Sequence, residues 1–376
     1  MERRPQADHV FIGLSAGLTV FGLVMLLSSS GPIGHQRFDD GLYFLKHQLW
    51  AGFLPGLVLF LILKRIDYRY WQRHWRVFLG VSLALLVLVF IPGISGDWSQ
   101  AKSWISLPGG SFQPVEIVKL LLLLFLAGWF EHLGRERLAG FRTGFLPFVG
   151  VLGAVALLVG LQPDLGSLAV IAGSAVIAWL VAGAAWPQLF ALSGAGLLAL
   201  VAAMKAAPYR AARLMTFLHP ELDPQGIGYH INQAYLAIGS GGLFGLGLGH
   251  SRQKYLYLPE TFGDSVFAVM AEELGFLMTL AFLMLLAGLL WRGLEIARRA
   301  PDRFGRILAA GIIGWILCQS LFNIGSMVGL LPITGLPLPF VSYGGSAMVG
   351  LMAALGVMAN ISAQADWQAD RQRQRL

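Results

Sequence analysis

Charge is scarce in this chain. Only 12% of its 376 residues are Asp, Glu, Lys or Arg, 56% are hydrophobic, and the mean hydropathy is +0.67. A soluble domain carries about 25% charged residues. This chain has too few to solvate the one or two soluble domains its length could build. Cysteine is almost absent: Cys318 stands alone, which excludes an intrachain disulfide and any multi-cysteine metal site. It lies in an apolar run and reads as a small core residue. No Walker sequence is present. Gly245-Leu246-Gly247-Leu248-Gly249 lacks the strand–turn–helix setting of a nucleotide fingerprint. Its glycines read instead as close backbone packing of a folded loop. No cleavable signal is expected either. Met1–His9 is polar and basic, but Val10–Leu27 is too long for a signal core and has no cleavage site before Gly31.

What is abundant is apolar sequence in long runs. A helix crossing a bilayer needs about 20 mostly apolar residues, and about ten such spans fit: 10–30, 43–63, 77–92, 114–132, 145–161, 165–182, 186–204, 265–290, 307–329 and 343–362. The expectation is therefore an all-α polytopic membrane protein forming one domain over 1–376. With the first span leaving the cytoplasm, 18 of the 27 basic residues fall on the cytoplasmic side. This positive-inside asymmetry accounts for the net charge of +7 without nucleic acid. It makes 1–9 and 363–376 cytoplasmic tails and puts two long loops outside, about 93–113 and 205–264, the second just before span eight. The basic, aromatic stretch Lys64–Arg76 reads as an interfacial anchor for anionic membrane lipids.

Ionisable groups at membrane depth are costly unless paired or hydrated. Glu116 and Lys119 stand three apart on one face of a helix and can neutralise each other. Gln162-Pro163-Asp164 leaves no room for a loop, so Asp164 is expected to cap the next helix. Glu272 and Glu273 fall inside span eight, and at least one should face protein or a wet cavity. Asp264 has the position of a helix N-cap, and by position alone that is its reading. Its loop also carries Arg210, Arg213, Arg252 and Lys254, cations suited to phosphate. Residues Leu331–Ser346, with three prolines, cannot continue a helix. They are expected to form a re-entrant segment before span ten, packed against the long loop, with Asn323 serving its freed backbone groups.

Several ordered blocks resemble the SEDS family of FtsW, RodA and their sporulation relative. They include Ser111–Leu120, Gln162–Ser167, Gly228–Gln233, Ala237–Gly249, Ser251–Glu260, Glu272–Gly275 and Asn323–Ser346. The run Ser251–Glu260 looks more like the division member than the elongation member. The resemblance implies a polymerase of lipid II, working at the outer face of the cytoplasmic membrane in septal wall synthesis. Its implied partners are a class B penicillin-binding protein and other divisome components. It implies Asp264 as the catalytic acid–base residue. Lys102, Glu116, Lys119, Arg210, Arg213, Arg252, Lys254, Glu260 and Ser342 would surround the substrate, the cations serving the pyrophosphate alone or with a divalent cation such as Mg or Mn. Around the aspartate the family usually reads His-Thr-Asp-Phe, whereas this chain has Phe262-Gly263-Asp264-Ser265. Two other classes fit buried charges and a broken helix: a lipid II flippase, and a non-catalytic division scaffold.

Overall fold

The computed structural model describes residues 6–93, 103–107, 110–206, 215–219 and 226–373. In chain order the longer elements are α1 (His9–Phe38), α2 (Tyr43–Arg65), α3 (Trp75–Leu88), β1 (Ile105–Leu107), β2 (Gly110–Phe112), α4 (Pro114–Ala139) and α5 (Phe141–Leu161). They continue with α6 (Leu165–Ala182), α7 (Trp186–Ala206), α8 (Ile227–Ser240), α9 (Val266–Arg299), α10 (Arg303–Met327) and α11 (Gly345–Arg373). Among the described residues eight helices, all but α3, α7 and α8, are long and apolar enough to cross a membrane. The chain is a multi-pass membrane protein. The other two expected spans fall on α3 and α7. The all-helical expectation needs one amendment: β1 and β2 pair antiparallel, Ile105 opposite Phe112, in the first of the long loops.

Most of α10 and α11 is interior, because small residues let backbones approach where lipid gives no hydrophobic drive between helices. A Cβ on Gly350 would lie 2.8 Å from the Glu116 carbonyl of α4, and one on Gly356 2.8 Å from the Phe60 carbonyl of α2. At the other end, Asp8 caps α1 by accepting from Phe11 N (2.9 Å) and pairs with Arg292 of α9 (2.8 Å). Tyr68 departs from the interfacial reading: it is fully buried, stacks on Phe304 and donates to Asp302 at the start of α10. A phenol with a carboxylate acceptor at hand is better used as an internal clamp than as a lipid anchor.

The Pro/Gly-rich segment 328–344 is irregular, exposed at Val328 and Leu330 and buried at Leu336 and over 338–342, and it packs against α1 and α6. A Cβ on Gly22 would collide with the Phe340 carbonyl, and one on Gly166 with that of Thr334. Its backbone is served by side chains: Asn323 Nδ2 donates to Leu336 O (2.7 Å), Gln319 Nε2 to Pro337 O (2.9 Å), and Ser342 Oγ accepts from Leu338 N (2.7 Å). Tyr343 N donates to Phe262 O (2.8 Å), joining the segment to the long loop.

Helix α9 is interrupted at Gly275 (φ 71°, ψ −177°). In an unbroken helix Phe276 N and Leu277 N would bond to the Glu272 and Glu273 carbonyls. Here Leu246 N (3.0 Å) and Gly247 N (2.9 Å) occupy those carbonyls, while Phe276 N donates to Gly242 O (2.9 Å) and Leu277 N to Leu243 O (3.2 Å). The glycine-rich loop is thus stitched into the helix by its backbone, as its composition suggests. Both Glu272 and Glu273 are buried, and both hold that loop. Glu272 accepts from Arg252 N (3.0 Å) and Ser251 Oγ, and Glu273 pairs with Lys254 (2.7 Å). Gly275→Ala is expected to lower the thermal unfolding midpoint of the detergent-solubilised protein clearly. Its Cβ would fall 2.1 Å from Gly245 N. The backbone region alone costs a side-chain-bearing residue about 1–3 kcal/mol.

Candidate functional site

Where the long loop, the 328–344 segment and the N-termini of α4 and α6 meet, they enclose a cavity of about 450 Å³. Four carboxylates line it: Glu116, Asp164, Glu260 and Asp264. A second cavity of about 540 Å³ shares Trp104, Glu260, Gly263, Tyr343, Gly344 and Ser346 with the first. It extends along α2 past His47, Trp50, Ala51 and Phe112. Trp50 is 77% exposed. The two form one cleft, polar at its inner end and apolar toward the flank of the helical bundle.

Each acid is set differently. Asp164 caps α6, accepting from Ser167 N (2.9 Å), and takes a second bond from Gln113 Nε2 (3.2 Å). Glu116 accepts from Lys119 Nζ (2.7 Å) through Oε1, whereas its buried Oε2 has no partner. Lys119 also donates to Gln319 Oε1 (2.9 Å), which accepts from Trp315 Nε1 (2.7 Å) as well. The pair is therefore locked between α4 and α10. Glu260 is exposed, with its backbone in the left-handed region (φ 48°), and its carbonyl accepts from Gly263 N and Ser265 N in a tight turn.

That turn presents Asp264. Its backbone carbonyl accepts from Asn323 Nδ2 (2.8 Å). Its side chain does not cap α9, whose N-cap residue is Ser265, which itself makes no side-chain capping bond. Among the described residues the carboxylate accepts from the Ser265 hydroxyl, at 3.4 Å, and from the backbone N–H groups of Asp264 and Ser265. Burial in the surrounding protein, reinforced by the negative charge of Glu260, pushes the Asp264 carboxyl up to about 7, with the Ser265 hydroxyl opposing. A carboxylate that lacks strong donors, faces a cavity and titrates near neutrality suits a general base.

Among the described residues the expected cations do not gather there. Lys254 is buried in its pair with Glu273, Arg252 is exposed on the loop, and neither lines the cavity. Lys102, Arg210 and Arg213 lie outside the described residues. Ser342 supports the backbone of the irregular segment and borders a small pocket with Glu116. Among the described residues no three His, Cys, Asp or Glu side chains come together to hold a metal ion. Composition could not reveal Gln319 and Trp315, although two polar-capable side chains four apart in an apolar helix were a signal.

Residues 8–366 match the family model that joins FtsW, RodA and SpoVE, described as cell cycle proteins. The chain belongs to this family. Its relatives include the stage V sporulation protein E of Bacillus subtilis, 39% identical over 96% of this chain and 98% of that protein. Another is a probable peptidoglycan glycosyltransferase FtsW of Trichlorobacter lovleyi, 40% identical over 96% and 94%. Among solved structures, a peptidoglycan synthase complex coordinating polymerization and crosslinking matches with a TM-score of 0.80 at 28% identity, covering 96% of this chain and 98% of that one. Thermus thermophilus RodA matches at 0.69 and 29% identity, covering 95% and 96%. This member of the family carries its Asp264 at the floor of the cleft, flanked by Gly263 and Ser265.

Proposed function

We infer that this protein is an inverting peptidoglycan glycosyltransferase that polymerises lipid II at the outer face of the cytoplasmic membrane. The observation that carries the reading is Asp264, poorly hydrogen-bonded and raised toward neutrality, at the polar end of a cleft whose other end is apolar. Asp264 accepts the proton of the GlcNAc 4-hydroxyl as that oxygen attacks the anomeric carbon of the MurNAc at the end of the growing chain. Undecaprenyl pyrophosphate leaves. The free Oε2 of Glu116 is an acceptor for a sugar hydroxyl or peptide amide, and the prenyl chain follows the groove beside Trp50. Four carboxylates and no Lys or Arg among the described lining favour neutral sugar inside and the diphosphate at the rim. Cations from Lys102, Arg210, Arg213 and Arg252 would meet it there, with or without a divalent cation.

The reading includes ten spans, α3 and α7 completing the set, both termini in the cytoplasm, and one domain over the whole chain. It includes a class B penicillin-binding protein as partner, and septal synthesis within the divisome. Support comes from the relatives named FtsW and from the structural likeness to a peptidoglycan synthase complex. The test is lipid II polymerisation by purified protein, with and without candidate penicillin-binding proteins, read as a ladder of glycan strands. Transbilayer movement of lipid II in liposomes without polymer would overturn it in favour of a flippase. Absence of polymer with every partner would favour a scaffold.

The reaction is also expected to be pH-dependent in a definite sense. A base works only when ionised, so kcat/KM should fall as the pH drops through about 7. Glu260→Gln removes the neighbouring negative charge that raises Asp264, so the midpoint should move down. Initial rates across the neutral range check both.

A further inference from the structure

Beside Asp264 stands a residue that the reaction scheme does not use. His230, in the first turn of α8, places Nε2 2.6 Å from Ser265 Oγ, and Ser265 Oγ lies 3.4 Å from Asp264 Oδ1. Ser265 is fully buried, so water does not compete for its hydroxyl. Asp264 makes no hydrogen bond to Glu116, Asp164, Glu260 or Tyr343, the other titratable groups facing the cavity.

The direction of the bonds follows from counting protons. Ser265 has one hydroxyl hydrogen and two neighbours, a carboxylate and an imidazole nitrogen. A hydrogen bond to an ionised acceptor is about twice as strong as one between neutral groups, so the hydrogen points at Asp264. The short contact on the other side then requires His230 to donate from Nε2–H into the Ser265 oxygen. Burial holds His230 well below the usual imidazole range, at about 4, so it is neutral and stays in this donor tautomer without adding charge. The same burial makes His230 a poor resting place for the proton that Asp264 acquires. The chain therefore orients the carboxylate and does not export its proton.

We propose that His230 and Ser265 form a positioning relay for Asp264, in which His230 fixes the Ser265 hydroxyl and that hydroxyl fixes the catalytic carboxylate. The relay takes the place of the flanking groups that this chain lacks around Asp264. It rests on the reading of Asp264 as the base.

The experiment uses the purified full-length protein and lipid II, with kcat/KM followed across the neutral pH range for His230→Ala, His230→Gln, Ser265→Ala, the double His230→Ala/Ser265→Ala variant and Asp264→Asn. Loss of a donor to the charged form makes Asp264 harder to ionise. Ser265→Ala is therefore expected to shift the midpoint up by about one pH unit and to lower kcat/KM about fivefold at pH 7, approaching tenfold below it. His230→Ala should move it the same way, and the double variant no further than Ser265→Ala. His230→Gln, whose amide also donates, should restore most of the rate. Unmoved midpoints in both single variants, or losses that multiply in the double variant, would overturn the relay while Asp264→Asn stays inactive. An active Asp264→Asn would instead overturn the underlying reading. Ser265→Ala removes a single oxygen and decides the matter if His230→Ala does not fold.

Discussion

Asp264→Asn is expected to leave no measurable glycan polymer while the protein folds at least as well as the unsubstituted chain. The amide keeps the shape of the carboxylate and cannot take a proton from the attacking hydroxyl. A positioned general base contributes about 10²–10⁴-fold, and because the 4-hydroxyl is a weak acid the loss should lie at the upper end. The stability half of the expectation comes from the same environment. Above neutral pH the native fold holds a negative charge that its burial and Glu260 both disfavour. Asn removes that cost, so the thermal midpoint should stay or rise. Polymer ladders and unfolding curves measured on one preparation separate the two effects. A ladder of normal intensity would remove Asp264 from the chemistry.

Lys119→Met is expected to cost more in stability than any other single change at the site. The pair with Glu116 is buried on both sides, with side-chain exposures of 0% and 1%. Removing one member of such a pair strands the other charge and typically costs about 3–5 kcal/mol. Gln319 would lose a donor, and Glu116, whose Oε2 is already unpartnered, would lose the one side-chain hydrogen bond it makes among the described residues. The double Glu116→Gln/Lys119→Met variant should recover much of that loss, because no charge remains to be buried. Thermal unfolding in detergent reads both. Failure of the double variant to recover would mean that the cation holds Gln319 and Trp315 rather than merely neutralising Glu116.

How far the sequence revealed these features depended on how local they are. Asp164 as a cap, Glu116 with Lys119, and the prolines of 331–346 are set by neighbours within a few positions, and each stands in the structure where spacing put it. Glu272 and Glu273 were legible as buried acids, but not as the residues that hold Ser251 and Lys254, because nothing local links α9 to a loop some twenty residues earlier. The same limit applies to Lys254. Its positive charge suggested phosphate, yet the fold had already spent it on Glu273. Tyr68 looked interfacial from its basic neighbours, and only the approach of Asp302 makes it internal. His230 and Ser265 meet across thirty-five positions. No periodicity carries that information.

The exchange of hydrogen bonds at Gly275 bears on how the protein is made. As α9 enters the bilayer, two rungs of its own ladder are missing, and hydrocarbon offers nothing to replace them. The stretch 242–247, synthesised earlier, supplies the missing partners. In the topology proposed above, that stretch has to be across the membrane when the helix arrives. Export of the loop and completion of the helix are then a single event in biogenesis, and a chain whose loop is held back should stall with α9 half formed.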